Sequence, residues 1–198
     1  GTYFDIHTGG EDHISVHHTN EIAQSEAATG KKFVNYWAHG AFLKFQGEKV
    51  SKSKGGLYTV SELEEKGYNP LNLRYLFLLT HYRKPMNFTL ENLDATKTTY
   101  ERIKRKIIEL REEKHKGKDL TEIYETKFLK ALNYDLNVPR AVQVFHKALE
   151  DFNFAPKNKL KLLEKFDSIL GLKINEMQEI ILILPKEVEF LIKEREKL

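Results

Sequence analysis

A histidine and a carboxylate at helical spacing form the first group of residues that could do chemistry. The segment His17–Glu21 has the sequence His-His-Thr-Asn-Glu, and residues four positions apart on a helix project from one face. His17 and Glu21 are therefore candidate ligands of one divalent metal such as zinc. An ordinary hydrogen-bonded helix pair is the competing interpretation. A structural zinc takes about four protein ligands; the sequence has no cysteine to complete the set, and His7 and His13 are further candidates.

Two adjacent glycines followed by acidic residues form a second group. Gly9 and Gly10 precede Glu11 and Asp12. Glycine lets a backbone approach a ligand closely, and an acidic side chain just beyond it can accept hydrogen bonds from ribose hydroxyls. The pattern is compatible with nucleotide binding, but it is also common in turns that bind nothing.

A short basic segment forms the third group. Residues 48–56 contain three lysines, two serines and two glycines. Lysine ammonium groups can neutralise charge that develops on a polyphosphate, and a loop bounded by glycine can move to deliver them. The spacing is not that of a Walker loop, so a solvated basic turn is the alternative interpretation.

The elements that must position these groups alternate between strand and helix in the first half of the chain. Aromatic and β-branched content predicts the strands, and Gly30 predicts the end of the first helix. The predicted elements are strands at 3–7 and 33–37, a helix at 17–28, a hairpin of 42–45 with the residues around Val50, and helices at 61–66 and 70–80.

After residue 90 the pattern is helical. Apolar residues recur at three-, four- and seven-residue steps, which is typical of amphipathic helices packed in a bundle. A further helix is predicted from Pro185. The predicted core residues are Leu93, Tyr100, Ile103, Ile107 and Leu110; Ile123, Phe128, Leu129 and Leu132; Val142, Phe145, Leu149 and Phe152; and Leu160, Leu163, Phe166 and Leu170.

Composition limits the function classes. The chain has 198 residues, 40% hydrophobic and 31% charged, which fits one or two globular domains with a real core. No apolar run is long enough to cross a membrane, and no export signal is visible. The absence of cysteine excludes disulfides within the chain and is compatible with a cytoplasmic location.

Net charge is too small to indicate a nucleic-acid partner. The chain has 32 basic and 29 acidic residues, a net charge of +3. After residue 90 there are 22 basic and 20 acidic residues, a net charge of +2, so any RNA binding must use a local face. A solvated helix face is the alternative interpretation of the densest basic stretch, which consists of Lys97, Arg102, Lys104, Arg105, Lys106 and Arg111.

The order of the segments along the chain is informative. The segments are Phe4–Asp12, His17–Ala27, Val34–Trp37 and Lys49–Ser53, followed by 81–83, 87–88, 136–141 and 169–172. Together they closely resemble cysteinyl-tRNA synthetases over nearly the whole chain, most densely in residues 4–88. The run from His17 to Ala27 is specific, whereas the lysine loop is shared by many class I synthetases.

The resemblance implies a fold of the α/β plus all-α class. A partial Rossmann-type nucleotide-binding fold would be followed by a connecting fold and a helical bundle. The implied domains are 1–58, the second half of the catalytic domain with the signature loop; 59–90, a connecting segment that contacts the tRNA stem; and 91–198, a helical bundle that binds tRNA.

The implied reaction is ATP-dependent activation of L-cysteine to cysteinyl-adenylate, followed by transfer of the cysteinyl group to tRNA(Cys). ATP would be used as its complex with Mg²⁺. Family members hold one catalytic zinc ion with two cysteines, a histidine and a glutamate, and this ion binds the substrate thiolate. His17 and Glu21 would be the histidine and glutamate ligands. Because a serine hydroxyl does not compete with a thiolate for zinc, the ion would select cysteine over serine.

The lysine loop resembles the mobile signature loop of the family, with Val50 at the usual methionine. The resemblance implies that Lys49 and Lys52 are catalytic and that Lys52 contacts the ATP phosphates and stabilises the transition state. His7 would line the substrate pocket. The implied ATP-binding residues are Gly9, Gly10, Asp12, Val50 and Lys52.

The sequence also departs from the family pattern. It contains neither the upstream strand and helix with the HIGH-type signature nor the two cysteine ligands. We therefore expect a carboxy-terminal portion of a synthetase that is a monomer, has no membrane partner and is inactive by itself in cysteine activation. The alternatives are a ligase that joins cysteine to an amino sugar, which does not need the long helical half, and a non-catalytic RNA-binding module.

Overall fold

A strand–helix–strand unit begins the fold. The computed structural model describes residues 2–45, the backbone of 48–49, and residues 58–178. Strand β1 (Phe4–Gly10) is followed by a 3₁₀ turn, helix α1 (His17–Thr29) and strand β2 (Val34–Gly40). The two strands pair in parallel, with Ile6 beside Tyr36. The unit therefore brings the end of β1, the beginning of α1 and the end of β2 to one side.

The local signals in this unit explain its boundaries. Helix α1 ends at Gly30, which has φ +66° and donates its backbone N–H to the carbonyl of Glu26. Glycine adopts this left-handed conformation without the steric cost that other residues meet. The predicted helix and both predicted strands are confirmed, and β1 and β2 each continue about three residues further than the sequence predicted.

A second, three-stranded sheet follows. Its strands are β3 (Leu43–Phe45), β4 (Glu48–Lys49) and β5 (Met86–Phe88), in the order β4-β3-β5. Strand β3 is antiparallel to β4 and parallel to β5. The predicted hairpin is confirmed by the pairing of Lys44 with Lys49, whereas Val50 lies outside the described residues.

Two short helices separate the hairpin from β5. They are α2 (Val60–Glu65) and α3 (Pro70–Leu78), each started by a reciprocal capping box at Thr59 and at Asn69. Proline at the first position of α3 confirms the predicted helix start. A small apolar core under this sheet contains Leu63, Leu76, Phe88 and Leu93.

Four longer helices form the main core of the protein. They are α4 (Leu90–Glu112), α5 (Thr121–Asn133), α6 (Val138–Glu150) and α7 (Pro156–Leu170). All five residues of the predicted α4 stripe are buried. Phe128 of α5 stacks on Phe166 of α7 with ring centroids 3.8 Å apart, and Phe145 of α6 is fully buried beside them.

Three residues predicted for the core are exposed. Ile123 and Leu129 of α5 are exposed to solvent. Phe152 is 84% exposed because α6 ends at Glu150, after which helical periodicity no longer applies, and Phe154 is buried instead. The rest of the predicted bundle is confirmed as far as residue 178; the helix predicted from Pro185 lies outside the described residues.

The fold is thus a mixed α/β part followed by α-helices, as the sequence predicted at this level. Within the described ranges, no helix combines the length and apolar character needed to cross a membrane.

Candidate functional site

Three imidazoles surround the carboxylate of Glu21. Helix α1 places His17 one turn before Glu21, and its Nε2 lies 3.7 Å from Oε1. The Nε2 of His7, from β1, lies 3.0 Å from Oε2 of the same carboxylate. The Nε2 of His18 lies 3.9 Å from Oε2. The structure therefore assembles the predicted pair with two further histidines, one from the same helix and one from the neighbouring strand.

Ligand atoms of His7, His18 and Glu21 all lie within 4.8 Å of one another. The predicted pair also has a spacing suited to a metal. Two donors at 2.0–2.2 Å from a tetrahedral zinc ion lie about 3.4 Å apart, close to the 3.7 Å between His17 and Glu21. The donor set of imidazole nitrogens and carboxylate oxygen is one that zinc accepts, so the residues present fit the metal implied by the resemblance.

His18 is the buried residue of this cluster. Its side chain packs against Trp37, with ring centroids 4.7 Å apart, and the whole residue is 3% exposed. Its Nδ1 forms a 2.8 Å hydrogen bond with Nε2 of His39, at the end of β2. This bond holds the ring so that its other nitrogen faces Glu21, in the way that a second hydrogen bond orients a metal-binding imidazole.

The electrostatics favour the protonation states that metal ligands need. The hydrogen bond from His7 lowers the pKa of Glu21, and the nearby His17 lowers it further. Burial lowers the pKa of His18, and the neighbouring His39 and His7 act in the same direction. At neutral pH the cluster therefore presents an ionised carboxylate beside a neutral His18 imidazole, the forms that bind a metal.

Gly9 of β1 lies directly against the histidines, and Gly10 lies beside Asp12. A Cβ added at Gly9 would lie 2.5 Å from Cε1 of His18 and 2.9 Å from Nδ1 of His13. A Cβ added at Gly10 would lie 2.5 Å from Oδ1 of Asp12. Any residue with a Cβ would displace these side chains. The histidines can therefore pack here only because β1 has glycine, which has no side chain, at these positions.

Most of the predicted signature loop lies outside the described residues. The backbone of Lys49 pairs with Lys44 in the β3–β4 hairpin. The side chain of Lys49, together with Val50 and Lys52, lies outside the described residues.

Sequence reasoning missed His18 and His39 as members of the site. A signal for His18 was present, because it stands three residues before Glu21 and so shares its helix face. Strand alternation places His39 on the same side as Trp37, but nothing local indicates that this side meets α1. The two rings stack with their centroids 5.9 Å apart.

Comparison with known proteins gives a consistent result. Residues 1–98 match the family model of tRNA synthetases class I (C) catalytic domain. A cysteine–tRNA ligase of Burkholderia lata is 40% identical over 196 residues, which is 98% of this chain and 41% of that protein. A cysteine–tRNA ligase of Methanosarcina acetivorans is 42% identical over 219 residues, covering 99% of this chain and 45% of that protein. The chain thus spans less than half the length of these relatives.

Solved structures show the same kind of fold. A ternary complex of Agrobacterium radiobacter LeuRS with tRNA and LeuAMS superposes with a TM-score of 0.69 at 16% identity, covering 87% of this chain and 26% of that one. Mycobacterium tuberculosis methionyl-tRNA synthetase bound by methionyl-adenylate gives a TM-score of 0.50 at 9% identity, covering 85% and 40%. The curated relatives are tRNA ligases, so they support neither the amino-sugar ligase nor the non-catalytic module.

Proposed function

The chain belongs to the cysteinyl-tRNA synthetases of class I, and on this premise we propose that the polypeptide carrying it is a cysteine–tRNA ligase. Its reaction is the activation of L-cysteine with ATP and Mg²⁺ and the transfer of the cysteinyl group to tRNA(Cys). The observation that carries the proposal is the convergence of three imidazoles on the carboxylate of Glu21, since this arrangement suits the zinc ion of a cysteine-selective site.

In this proposal His17 and Glu21 are the zinc ligands of the chain. When bound, the zinc ion would coordinate the thiolate sulfur of the substrate cysteine. A serine hydroxyl is a poorer ligand for the same ion. His7 holds the second oxygen of Glu21 by its 3.0 Å hydrogen bond, so the other oxygen stays turned towards His17. His18, fixed by His39, closes the buried side of the cluster. His7 also lines the pocket for cysteine.

The remaining predicted residues take nucleotide roles. Gly9 and Gly10 let the nucleotide approach the β1 backbone, and Asp12 accepts hydrogen bonds from the ribose. Lys49 and Lys52 neutralise phosphate charge as it develops, with Val50 between them. The support for these roles is the position of the glycines at the end of β1, the edge at which α/β folds bind ligands.

We also propose three functional regions. Residues 1–58 carry the zinc and nucleotide groups, 59–90 form a connecting segment that contacts the tRNA stem, and 91–198 form a helical bundle that binds tRNA. The start of α4 at Leu90 supports the second boundary. The enzyme acts as a monomer in the cytoplasm.

The test uses the intact polypeptide with Glu21→Gln, which keeps the shape of the side chain and removes its charge. We expect zinc content to fall, and cysteine-dependent ATP–pyrophosphate exchange to fall on the order of 10²-fold, because a carboxylate ligand is lost. Zinc is measured by elemental mass spectrometry. Glu112→Gln, on the exposed end of α4, is the matched control and should change neither value. Normal zinc content and exchange in Glu21→Gln would overturn the proposed role.

A further inference from the structure

Three consecutive side chains of the loop between α3 and β5 hold one aspartate of the helical bundle. Asp135 lies in the turn between α5 and α6, and its carbonyl accepts a 2.9 Å hydrogen bond from Nε2 of His81. Its Oδ1 accepts a 2.7 Å hydrogen bond from the hydroxyl of Tyr82, and its Oδ2 lies 3.1 Å from Nε of Arg83. We call these four residues the Asp135 clamp. The clamp joins the α/β part of the fold to the helical bundle.

The side chains of the clamp also orient one another. Nδ1 of His81 accepts a 3.2 Å hydrogen bond from the backbone N–H of Arg83, so its Nε2 carries the proton that is donated to Asp135. The rings of His81 and Tyr82 stack with their centroids 4.9 Å apart. Nε of Arg83 donates to the hydroxyl of Tyr82 at 3.0 Å. The clamp is therefore one connected set of hydrogen bonds.

The backbone of the clamped turn is strained. Asp135 has φ +53° and Leu136 has φ +50°, a left-handed region that is unfavourable for residues with a side chain. Such conformations persist where surrounding contacts determine them, and they are common at functional sites. The side chains of Arg83 and Asp135 are 64% and 39% exposed, and exposed ion pairs add little stability. The clamp is therefore better suited to fixing a position than to stabilising the fold.

The backbone of the same loop holds the segment that follows β2. The N–H of Ala41 donates to the carbonyl of Tyr82 at 2.7 Å. The N–H of Met86 donates to the carbonyl of Phe42 at 3.1 Å, and β5 then pairs with β3 in parallel. Tyr82 thus contacts the helical bundle through its side chain and the segment after β2 through its backbone.

The three-stranded sheet connects this segment to Lys49. Lys44, in the middle of β3, pairs with Asn87 of β5 on one side and with Lys49 of β4 on the other. Backbone hydrogen bonds hold neighbouring strands about 4.8 Å apart, so a displacement of β5 also displaces the backbone of Lys49. Described contacts therefore run without interruption from Asp135 to a lysine that is proposed above to neutralise phosphate charge.

We propose that Tyr82 and Asp135 are positioning residues for the reaction with ATP. They fix the β3–β4 hairpin, and with it the backbone of Lys49, relative to the helical bundle. Both act through the hairpin rather than on the substrates. The inference rests on the proposed function, because the role of Lys49 does. It gives the turn between α5 and α6 a task in ATP binding that is separate from any contact with tRNA.

The test compares the intact polypeptide with Tyr82→Phe, which removes the hydroxyl and keeps the ring and the backbone carbonyl. ATP–pyrophosphate exchange is measured without tRNA, with ATP and cysteine varied in turn. We expect KM for ATP to rise about fivefold, because Lys49 is held less well beside the phosphates, and KM for cysteine to change by less than about twofold. Zinc content should not change, because the histidine cluster around Glu21 is intact.

A matched control is Tyr124→Phe. The hydroxyl of Tyr124 also donates to a carboxylate at 2.7 Å, but its partner Asp151 lies at the end of α6 within the helical bundle. This variant should leave both KM values unchanged. Loss of folded protein lowers kcat and leaves KM for ATP unchanged, so the expected rise in Tyr82→Phe is not an effect of stability. Thermal melts of both variants check this point.

A second variant tests the other half of the contact. Asp135→Asn keeps a residue that tolerates the left-handed conformation and removes the charge that faces Arg83. We expect it to raise KM for ATP as well. The double variant with Tyr82→Phe should raise KM for ATP no further than the more severe single variant, because both changes break one contact. Multiplying effects would show that the two residues act independently and would overturn the proposal.

The remaining outcomes are also decisive. Unchanged KM for ATP in Tyr82→Phe, or an equal rise in Tyr124→Phe, would overturn the proposal. A rise confined to KM for cysteine would mean that the clamp acts on the end of β2 and would overturn the assignment to the hairpin. Absence of exchange in the unmodified polypeptide would contradict the proposed function. Calorimetric titration with ATP and Mg²⁺ still tests the clamp in that case, since Tyr82→Phe should bind ATP about fivefold more weakly and equal affinity would overturn its role.

Discussion

A half-buried histidine of α6, outside the histidine cluster around Glu21, is hydrogen-bonded to α3. The Nε2 of His146, in α6, lies 2.7 Å from the hydroxyl of Tyr75, in α3. Burial lowers the pKa of His146; Glu150 opposes this lowering, and Arg102 and Lys106 of α4 add smaller lowering effects. Burial also raises the pKa of Tyr75, so its hydroxyl stays protonated and donates to the neutral imidazole.

This histidine should make the protein less stable in acid. Because the pKa of His146 is lower in the folded state, the unfolded chain takes up this proton first as the pH falls below about 6.5. The free energy of unfolding should therefore decrease from pH 7.5 to pH 5.5, and less so in His146→Gln, which cannot titrate. Urea denaturation of both proteins across this pH range measures the difference between their free energies of unfolding. The titrations of all other groups are common to both proteins and cancel in this difference. Parallel pH profiles would show that His146 is not responsible.

At the scale of elements, the end of α7 is joined to α3 through a glycine. Gly171 has φ +64° and lies against the guanidinium of Arg74, whose Nε donates to the carbonyl of Leu170 at 2.6 Å. Asp167 then accepts hydrogen bonds from the backbone N–H groups of Leu172 and Ile174. The chain reversal after α7 thus depends on a bare backbone at residue 171.

Replacing this glycine should cost more than replacing the glycine that ends α1. Gly171→Ala adds a Cβ 2.6 Å from Nη2 of Arg74 in a left-handed conformation, whereas Gly30→Ala has φ +66° but nothing within 4 Å. We expect Gly30→Ala to cost about 1 kcal/mol from backbone strain alone, and Gly171→Ala to cost about 2–3 kcal/mol, because the part-buried hydrogen bond from Arg74 to the Leu170 carbonyl is also disturbed. Urea denaturation measures both; equal costs would mean that Arg74 moves aside freely.

At the scale of the whole molecule, apolar burial is unevenly distributed. Among residues 2–45 only His18, Phe33 and Val34 are buried, whereas the helices share one continuous core. Ile6 and Tyr36, paired across β1 and β2, are both exposed, and Tyr36 is 72% exposed. Parallel strands are ordinarily covered on both faces, so this unit has little of its own apolar burial to stabilise it.

Hydrogen exchange should report this difference. We expect amides in the middle of α4, α6 and α7 to exchange only through global unfolding, and amides of β1 and β2 to exchange at least tenfold faster through local opening. Exchange of this 198-residue chain, followed by mass spectrometry, compares the two regions within one sample. Equal protection in both regions would show that the strand–helix–strand unit unfolds only together with the bundle.

Local sequence patterns were sufficient to predict the helices and strands and half of the candidate site. The buried face of residues 93–110 follows from the helical period of their apolar side chains alone. Gly30, Pro70 and Gly171 mark helix boundaries because glycine and proline have intrinsic backbone preferences. The pair His17 and Glu21 follows from the same period. Phe152 was misjudged because the end of α6 at Glu150 has no strong local signal.

The sequence by itself therefore determined the order of the elements, the helix faces that become core and the resemblance to cysteinyl-tRNA synthetases. Only the tertiary structure decided that His7 of β1 and His39 of β2 meet α1 around Glu21 and His18, and that Tyr82 meets Asp135 of the turn between α5 and α6. The physical reason is that periodicity orients a side chain relative to its own helix or strand. Which distant side chain it meets depends on how those elements pack against one another.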